Sequence, residues 1–200
     1  MQPKDWTGCV PLQNRSTFLM SNFRIRDNLL DRKKIQKELD AYKGSKSILS
    51  ESLNPARTIK MLSDSIFTIC PPGDLPFTKR FYDALLSCSI PVVVTREVKD
   101  VGKTYWSNVK YDGNKPIKLE ESYPSTDFPL SDIVIEVEGS TIDNGGVMKH
   151  LESIPQHEIE AKFEKIAGVR NSFVYDLNGS TEDAFSQMLK EISTIVLHEE

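Results

Sequence analysis

Unbroken apolar runs of four to six residues alternate along the chain with apolar residues at helical spacing. Ser16-Thr17-Phe18-Leu19-Met20-Ser21 reads as a short buried strand. A helix is expected from about Arg26 to Tyr42, with Leu29, Leu30, Ile35 and Leu39 as its apolar stripe and Lys33, Lys34 and Lys37 as its wet face. Lys43-Gly44-Ser45 supplies turn chemistry after it. Asn54-Pro55 pairs an N-cap with a proline at the first helical position, so a second helix should run to about Leu62.

The middle of the chain is the most informative. Ser65-Ile66-Phe67-Thr68-Ile69-Cys70 reads as a central strand, broken at Pro71-Pro72-Gly73-Asp74-Leu75-Pro76, which cannot continue a sheet ladder. Thr78 suits an N-cap, and a helix follows to about Leu86 with Phe81, Ala84, Leu85 and Cys88 on one buried face. Ile90-Pro91-Val92-Val93-Val94 is continuous and β-branched, as a parallel strand buried on both faces requires. Strand, loop, helix and strand make a βαβ unit, with a right-handed crossover.

From Thr95 to Leu130 the pattern dissolves into a loop-rich segment with Gly102, Gly113, Pro116 and Pro124. A strand is expected at Ile133–Val137, then helices over Thr141–Leu151, Pro155 to about Phe173, and Thr181 to about Leu197. The fold class is therefore α/β, a parallel sheet flanked by helices with a helical cover at the end.

Composition narrows the function classes. An apolar content of 38% and a charged content of 27% describe an ordinary globular chain. A net charge of -4 gives no basic field, so nucleic acid is not an expected partner. Cys9, Cys70 and Cys88 are too few and too scattered for a zinc site or a dense disulfide scaffold, and Cys70 and Cys88 read as buried small hydrophobes. No signal peptide is visible at the start, and no apolar run is long enough to span a membrane. Asn14-Arg15-Ser16 and Asn178-Gly179-Ser180 match the N-glycosylation pattern, which arises often by chance.

In an open parallel sheet, ligands bind at the carboxyl ends of the strands. Here that place is the corner from Cys70 to Arg80. Gly73 permits close backbone approach, and the following helix offers unpaired N–H groups and a partial positive charge to an anion such as a diphosphate. Arg80 adds a planar fork for phosphate oxygens and Lys79 a second cation. Asp83, one turn on, presents a carboxylate suited to vicinal hydroxyls. A plain alternative stays open from spacing alone: a turn at Gly73-Asp74, a cap at Thr78, and a solvated pair at Arg80 and Asp83.

Ser65–Asp74, Thr78-Lys79-Arg80-Phe81-Tyr82-Asp83-Ala84 and Ile90–Val94 together resemble the signature of the exostosin family of glycosyltransferases. That signature is a Ser-x-Phe strand, a Cys-Pro-x-Gly-Asp loop, Ser/Thr-x-Arg before an acidic-Ala helix, and an Ile-Pro-Val strand. The strand at Thr17–Ser21 with Arg24, Arg26 and Leu29 after it also keeps the family's order. The resemblance implies a Rossmann-like domain forming the C-terminal half of a two-domain GT-B-type inverting glycosyltransferase. Gly73, Thr78 and Arg80 would face the donor's diphosphate and Asp83 its ribose, with Arg26, or Arg24 as the alternative, adding charge; Asp74 and Lys79 complete the expected donor-binding set. It implies no cofactor and no metal; the donor would be a nucleotide-diphosphate sugar, with UDP the expected carrier, and the acceptor a glycan or other hydroxyl. The chain departs from the family at Cys88-Ser89, where Gly-Cys is usual, at Thr95-Arg96, where an Asp is common, and over Glu97–Lys115.

The expected organisation is an extension over 1–14 and the donor-binding domain over 15–197. The acceptor side would belong to a separate N-terminal domain or a partner transferase, so no catalytic base is named; His150, His157 and His198 read as surface residues. The resemblance places a typical eukaryotic member in the Golgi or endomembrane system; otherwise the chain would be cytoplasmic. Two other readings stand beside the transferase: a non-catalytic nucleotide-binding or partner-supporting module, and an unrelated α/β interaction domain.

Overall fold

The computed structural model describes residues 8–27, 29–50, 55–73, 78–95, 128–175 and 183–197. Its centre is a five-stranded sheet built from β1 (Thr17–Ser21), β2 (Ile48–Ser50), β3 (Ser65–Cys70), β4 (Ile90–Thr95) and β5 (Ile135–Glu138), in the order β2-β1-β3-β4-β5. All four pairings are parallel, with Leu19 opposite both Ile48 and Phe67, Ile69 opposite Val92, and Val92 opposite Ile135. The Rossmann-like α/β architecture expected from the alternation of elements is the one observed.

Burial separates the inner strands from the edge. Every residue of β1 is buried, and β3 and β4 are buried over most of their length, which is why they read as continuous apolar runs. In β5, Ile135 and Val137 point inward while Glu136 and Glu138 are exposed. Charges along a sheet edge discourage pairing with another chain.

The described α-helices are α1 (Leu30–Ala41), α2 (Pro55–Ser63), α3 (Lys79–Leu86), α4 (Gly139–Asp143), α5 (Val147–Glu152), α6 (Gln156–Val169) and α7 (Ala184–Leu197). α1 packs with α4 and α5, while α2 packs with α3. Right-handed crossovers running in opposite directions, β1 to β2 and then β2 to β3, put these two groups on opposite faces. Glu38 of α1 accepts from the Val147 and Met148 amides at 3.1 and 2.8 Å, capping the start of α5 from a neighbouring helix.

Several elements differ from the sequence expectation. α1 starts at Leu30 rather than Arg26, and Leu30 is exposed. The buried stripe is Asp31, Arg32, Ile35 and Leu39, so two charged residues occupy positions on the core-facing side. β2 was not anticipated because three residues are too short a run to show a period. The helix expected over Thr141–Leu151 is two helices, broken at Asn144-Gly145, where Gly145 has φ +66°. The long helix after Pro155 becomes a 3-10 turn at Arg170–Phe173.

Cys88 is buried but is not a free thiol: it is bonded to Cys9, with the two Cα atoms 5.5 Å apart. The bond ties the N-terminal segment to the corner between α3 and β4. Arg15 fastens the same region, donating to the carbonyls of Val10, Ser65 and Ser87. Burial draws its pKa down to about 10, partly opposed by Asp64. Only Cys70 is free among the described cysteines.

Candidate functional site

The sheet order fixes where a ligand would sit. From β1 the chain moves outward to β2 and then returns to β3 on the other side, so connections diverge between the carboxyl ends of β1 and β3. In doubly wound sheets such a divergence opens a crevice, and order 2-1-3-4-5 places it between these two strands. One wall is the loop from Asn22 to Arg26 and the other is Pro71-Pro72-Gly73 with the start of α3.

Two arginines join the walls. Arg80, in the first turn of α3, donates from Nε to the carbonyl of Asn22. Arg32 is only 7% exposed and donates from Nε to the Pro72 carbonyl at 3.0 Å and from Nη1 to the Arg24 carbonyl at 2.9 Å. Both guanidinium groups pack over the ring of Phe23, each guanidinium carbon 5.9 Å from its centroid. Burial lowers the pKa of Arg80, with Cys70 and Asp83 opposing, yet an arginine keeps its charge in proteins. Among the described residues, the two terminal nitrogens of Arg80 make no hydrogen bond, so the outer edge of its fork stays available to an acceptor.

Gly73 is buried against this arrangement. A Cβ there would lie 3.0 Å from Nη2 of Arg32 and 3.5 Å from Cγ2 of Thr78. A side chain at this position would therefore crowd Arg32, which would have to give by a few tenths of an ångström, before any ligand is considered. Thr78 occupies the N-cap position of α3, but its hydroxyl makes no capping bond. Among the described residues, Thr78 Oγ1 and Ser21 Oγ, the latter on the last residue of β1, are buried without a partner. Orphaned hydroxyls beside unpaired amides of a helix start are groups that an anion can satisfy.

Lys79 and Asp83 form an i,i+4 ion pair, Nζ to Oδ1 2.5 Å, with the lysine side chain 85% exposed and the aspartate 23%. Arg24 and Arg26 stand on the exposed loop between β1 and α1. Asp74 lies outside the described residues, as do Arg96 and the segment 97–115 that departs from the family pattern. His150 is half-buried on α5 and His157 exposed on α6, both remote in sequence from the crevice loops; His198 is outside the described residues.

Sequence reasoning missed Arg32, Phe23 and Ser21. For Arg32 a signal was present: a charged residue three before Ile35 and seven before Leu39 shares their helix face, and a buried charge needs a specific partner. Phe23 and Ser21 carry no such mark. A separate depression of about 720 Å³ between α1, α4 and α5 is lined by charges of both signs, including Lys34, Glu38 and Asp143. It touches no strand end.

Comparison with known families identifies the family. The family model described as the Exostosin GT47 domain matches residues 9–109, a span that includes β1 through β4 and both crevice walls. No curated protein matches the chain. No helix among the described residues is long and apolar enough to cross a membrane.

Proposed function

The chain belongs to the exostosin GT47 family of glycosyltransferases, and from that membership we propose that it binds the nucleotide-diphosphate sugar donor in the crevice between β1 and β3. The observation that carries this reading is Arg80. Its Nε is fixed to the Asn22 carbonyl while its terminal nitrogens remain open at the start of α3. A diphosphate seated there would meet a planar fork, the first amides of a helix and the Thr78 hydroxyl together.

The same groups would serve the chemistry. As the bond to the sugar breaks, negative charge builds on the departing diphosphate. Donors held in place beforehand stabilise that charge without reorganising. Arg80 and the α3 amides would do this, and Arg26, or Arg24, would add charge from the opposite wall. Asp83 would take the ribose hydroxyls by exchanging its bond to Lys79. Exposed ion pairs are worth roughly 0–1 kcal/mol, so that exchange is easily driven. Lys79 would then be released toward the phosphates. The acceptor glycan and the base that deprotonates it belong to a further domain or a partner transferase, completing a GT-B-type pair of domains.

Calorimetric titration tests the proposal. UDP should bind well above UMP, because the second phosphate is the group the corner is built to hold; GDP and the UDP-sugars measure base and sugar preference. Equal, negligible heats for UDP and UMP would remove the nucleotide from this crevice.

A further inference from the structure

We propose that Asn14 carries an N-linked glycan, on the edge of the sheet opposite the crevice. The triplet Asn14-Arg15-Ser16 has the required pattern, and the fold arranges its three residues unequally. Arg15 turns inward, 7% exposed, and is held by three backbone carbonyls. Asn14 closes the 3-10 turn Leu12–Asn14, is exposed, and its side-chain amide makes no hydrogen bond among the described residues. The attachment point therefore faces solvent from a firmly anchored backbone.

A second observation points to the compartment in which that modification is made. The Cys9–Cys88 bond is that of a chain folded where thiols oxidise. Asparagine glycans are transferred in such a compartment, from a lipid-diphosphate-linked oligosaccharide. In that step the Asn14 amide nitrogen bonds to the sugar's anomeric carbon. The bond from that carbon to the diphosphate oxygen breaks, the lipid diphosphate leaves, and the amide proton passes to a base of the transferring enzyme.

Order of synthesis favours the reaction. In the finished fold the Ser16 hydroxyl is committed to Asp64, which lies 48 residues later, and Cys9 waits for a partner 79 residues later. At about 5–20 residues per second, the triplet stays open for seconds before either contact can form. In the folded product the glycan leaves the donor crevice clear. Asn14 precedes the amino end of β1, and the crevice lies past its carboxyl end, a five-residue strand away, roughly 17 Å.

Peptide mapping of the protein isolated from its own cells decides it. Enzymatic release of asparagine-linked glycans in heavy-oxygen water should leave a heavy-oxygen aspartyl residue at position 14, in a peptide linked through Cys9 to Cys88. Asn14→Gln should abolish that label, Ser16→Ala should abolish it as well, and Ser16→Thr should keep it. An unmodified Asn14 in the disulfide-bonded protein overturns the proposal, and so do free thiols at both Cys9 and Cys88.

Discussion

Arg80 and Asn22 are joined across the point where the sheet order reverses: Nε of the arginine donates to the backbone carbonyl of the asparagine. The bond spends one edge of the guanidinium on the protein and aims the other outward. Replacing Arg80 by alanine should weaken UDP binding by about 1.5–3 kcal/mol, a loss of roughly 10- to 150-fold, if charged hydrogen bonds hold the diphosphate. Arg80→Lys should recover little, because an ammonium cannot keep both the carbonyl and a bidentate acceptor. Calorimetry at fixed salt reads both variants, and an alanine variant with unchanged affinity excludes Arg80 from the site.

The strands and the corner were legible in the sequence because buried parallel strands are written as uninterrupted apolar runs. Ile90–Val94 and Ser65–Cys70 are examples, and Pro71-Pro72-Gly73 marks where one of them must end. The clamp was not legible in the same way. Arg32 lies on a helix whose lysines advertise an ordinary wet face, and its partners are main-chain carbonyls, which have no sequence signature. The Cys9–Cys88 bond was hidden for a similar reason: a separation of 79 residues exceeds any local pattern. Long-range pairing is what composition and periodicity do not encode.

Crowding between Gly73 and Arg32 makes a testable pair. Gly73→Ala should cost about 1–3 kcal/mol of stability, since its Cβ would press on a guanidinium pinned by two bonds. Arg32→Ala should cost about 2–4 kcal/mol by orphaning the Pro72 and Arg24 carbonyls. The double variant should fall short of the sum by about 0.5–3 kcal/mol, because the space the alanine needs has been vacated. Urea midpoints at unchanged slope supply the three values. Strict additivity would show that the two residues do not press on each other.

Removing the disulfide should destabilise the fold without dissolving it. Closing a loop with a sequence separation of 79 lowers unfolded-chain entropy by an amount worth about 4–5 kcal/mol at most. The loss for Cys9→Ser with Cys88→Ser should be nearer 2–3 kcal/mol, because Arg15 still holds the Val10 carbonyl at 2.9 Å and keeps the segment docked. Urea unfolding of the variant, and of the native chain with and without reductant, measures it. A midpoint indifferent to reductant would mean that the bond does not brace the fold.

Cys70 gives a prediction in pH. Burial pushes its thiol from 9.0 to about 12, with Arg80 acting to lower it and Asp83 to raise it. A folded pKa above the unfolded one means that the native state keeps a proton the unfolded chain releases. The stability present below pH 9 is therefore lost as pH climbs toward 12, by up to about 1.4 kcal/mol per unit. Cys70→Ala should remove that component of the alkaline slope. The thiolate is the reactive form, so Cys70 should resist alkylation at pH 8 until the chain is unfolded. Because it ends β3 at the edge of the proposed donor loop, saturating UDP should slow the residual alkylation further. A rate that ignores UDP would mean that the nucleotide does not quiet this corner.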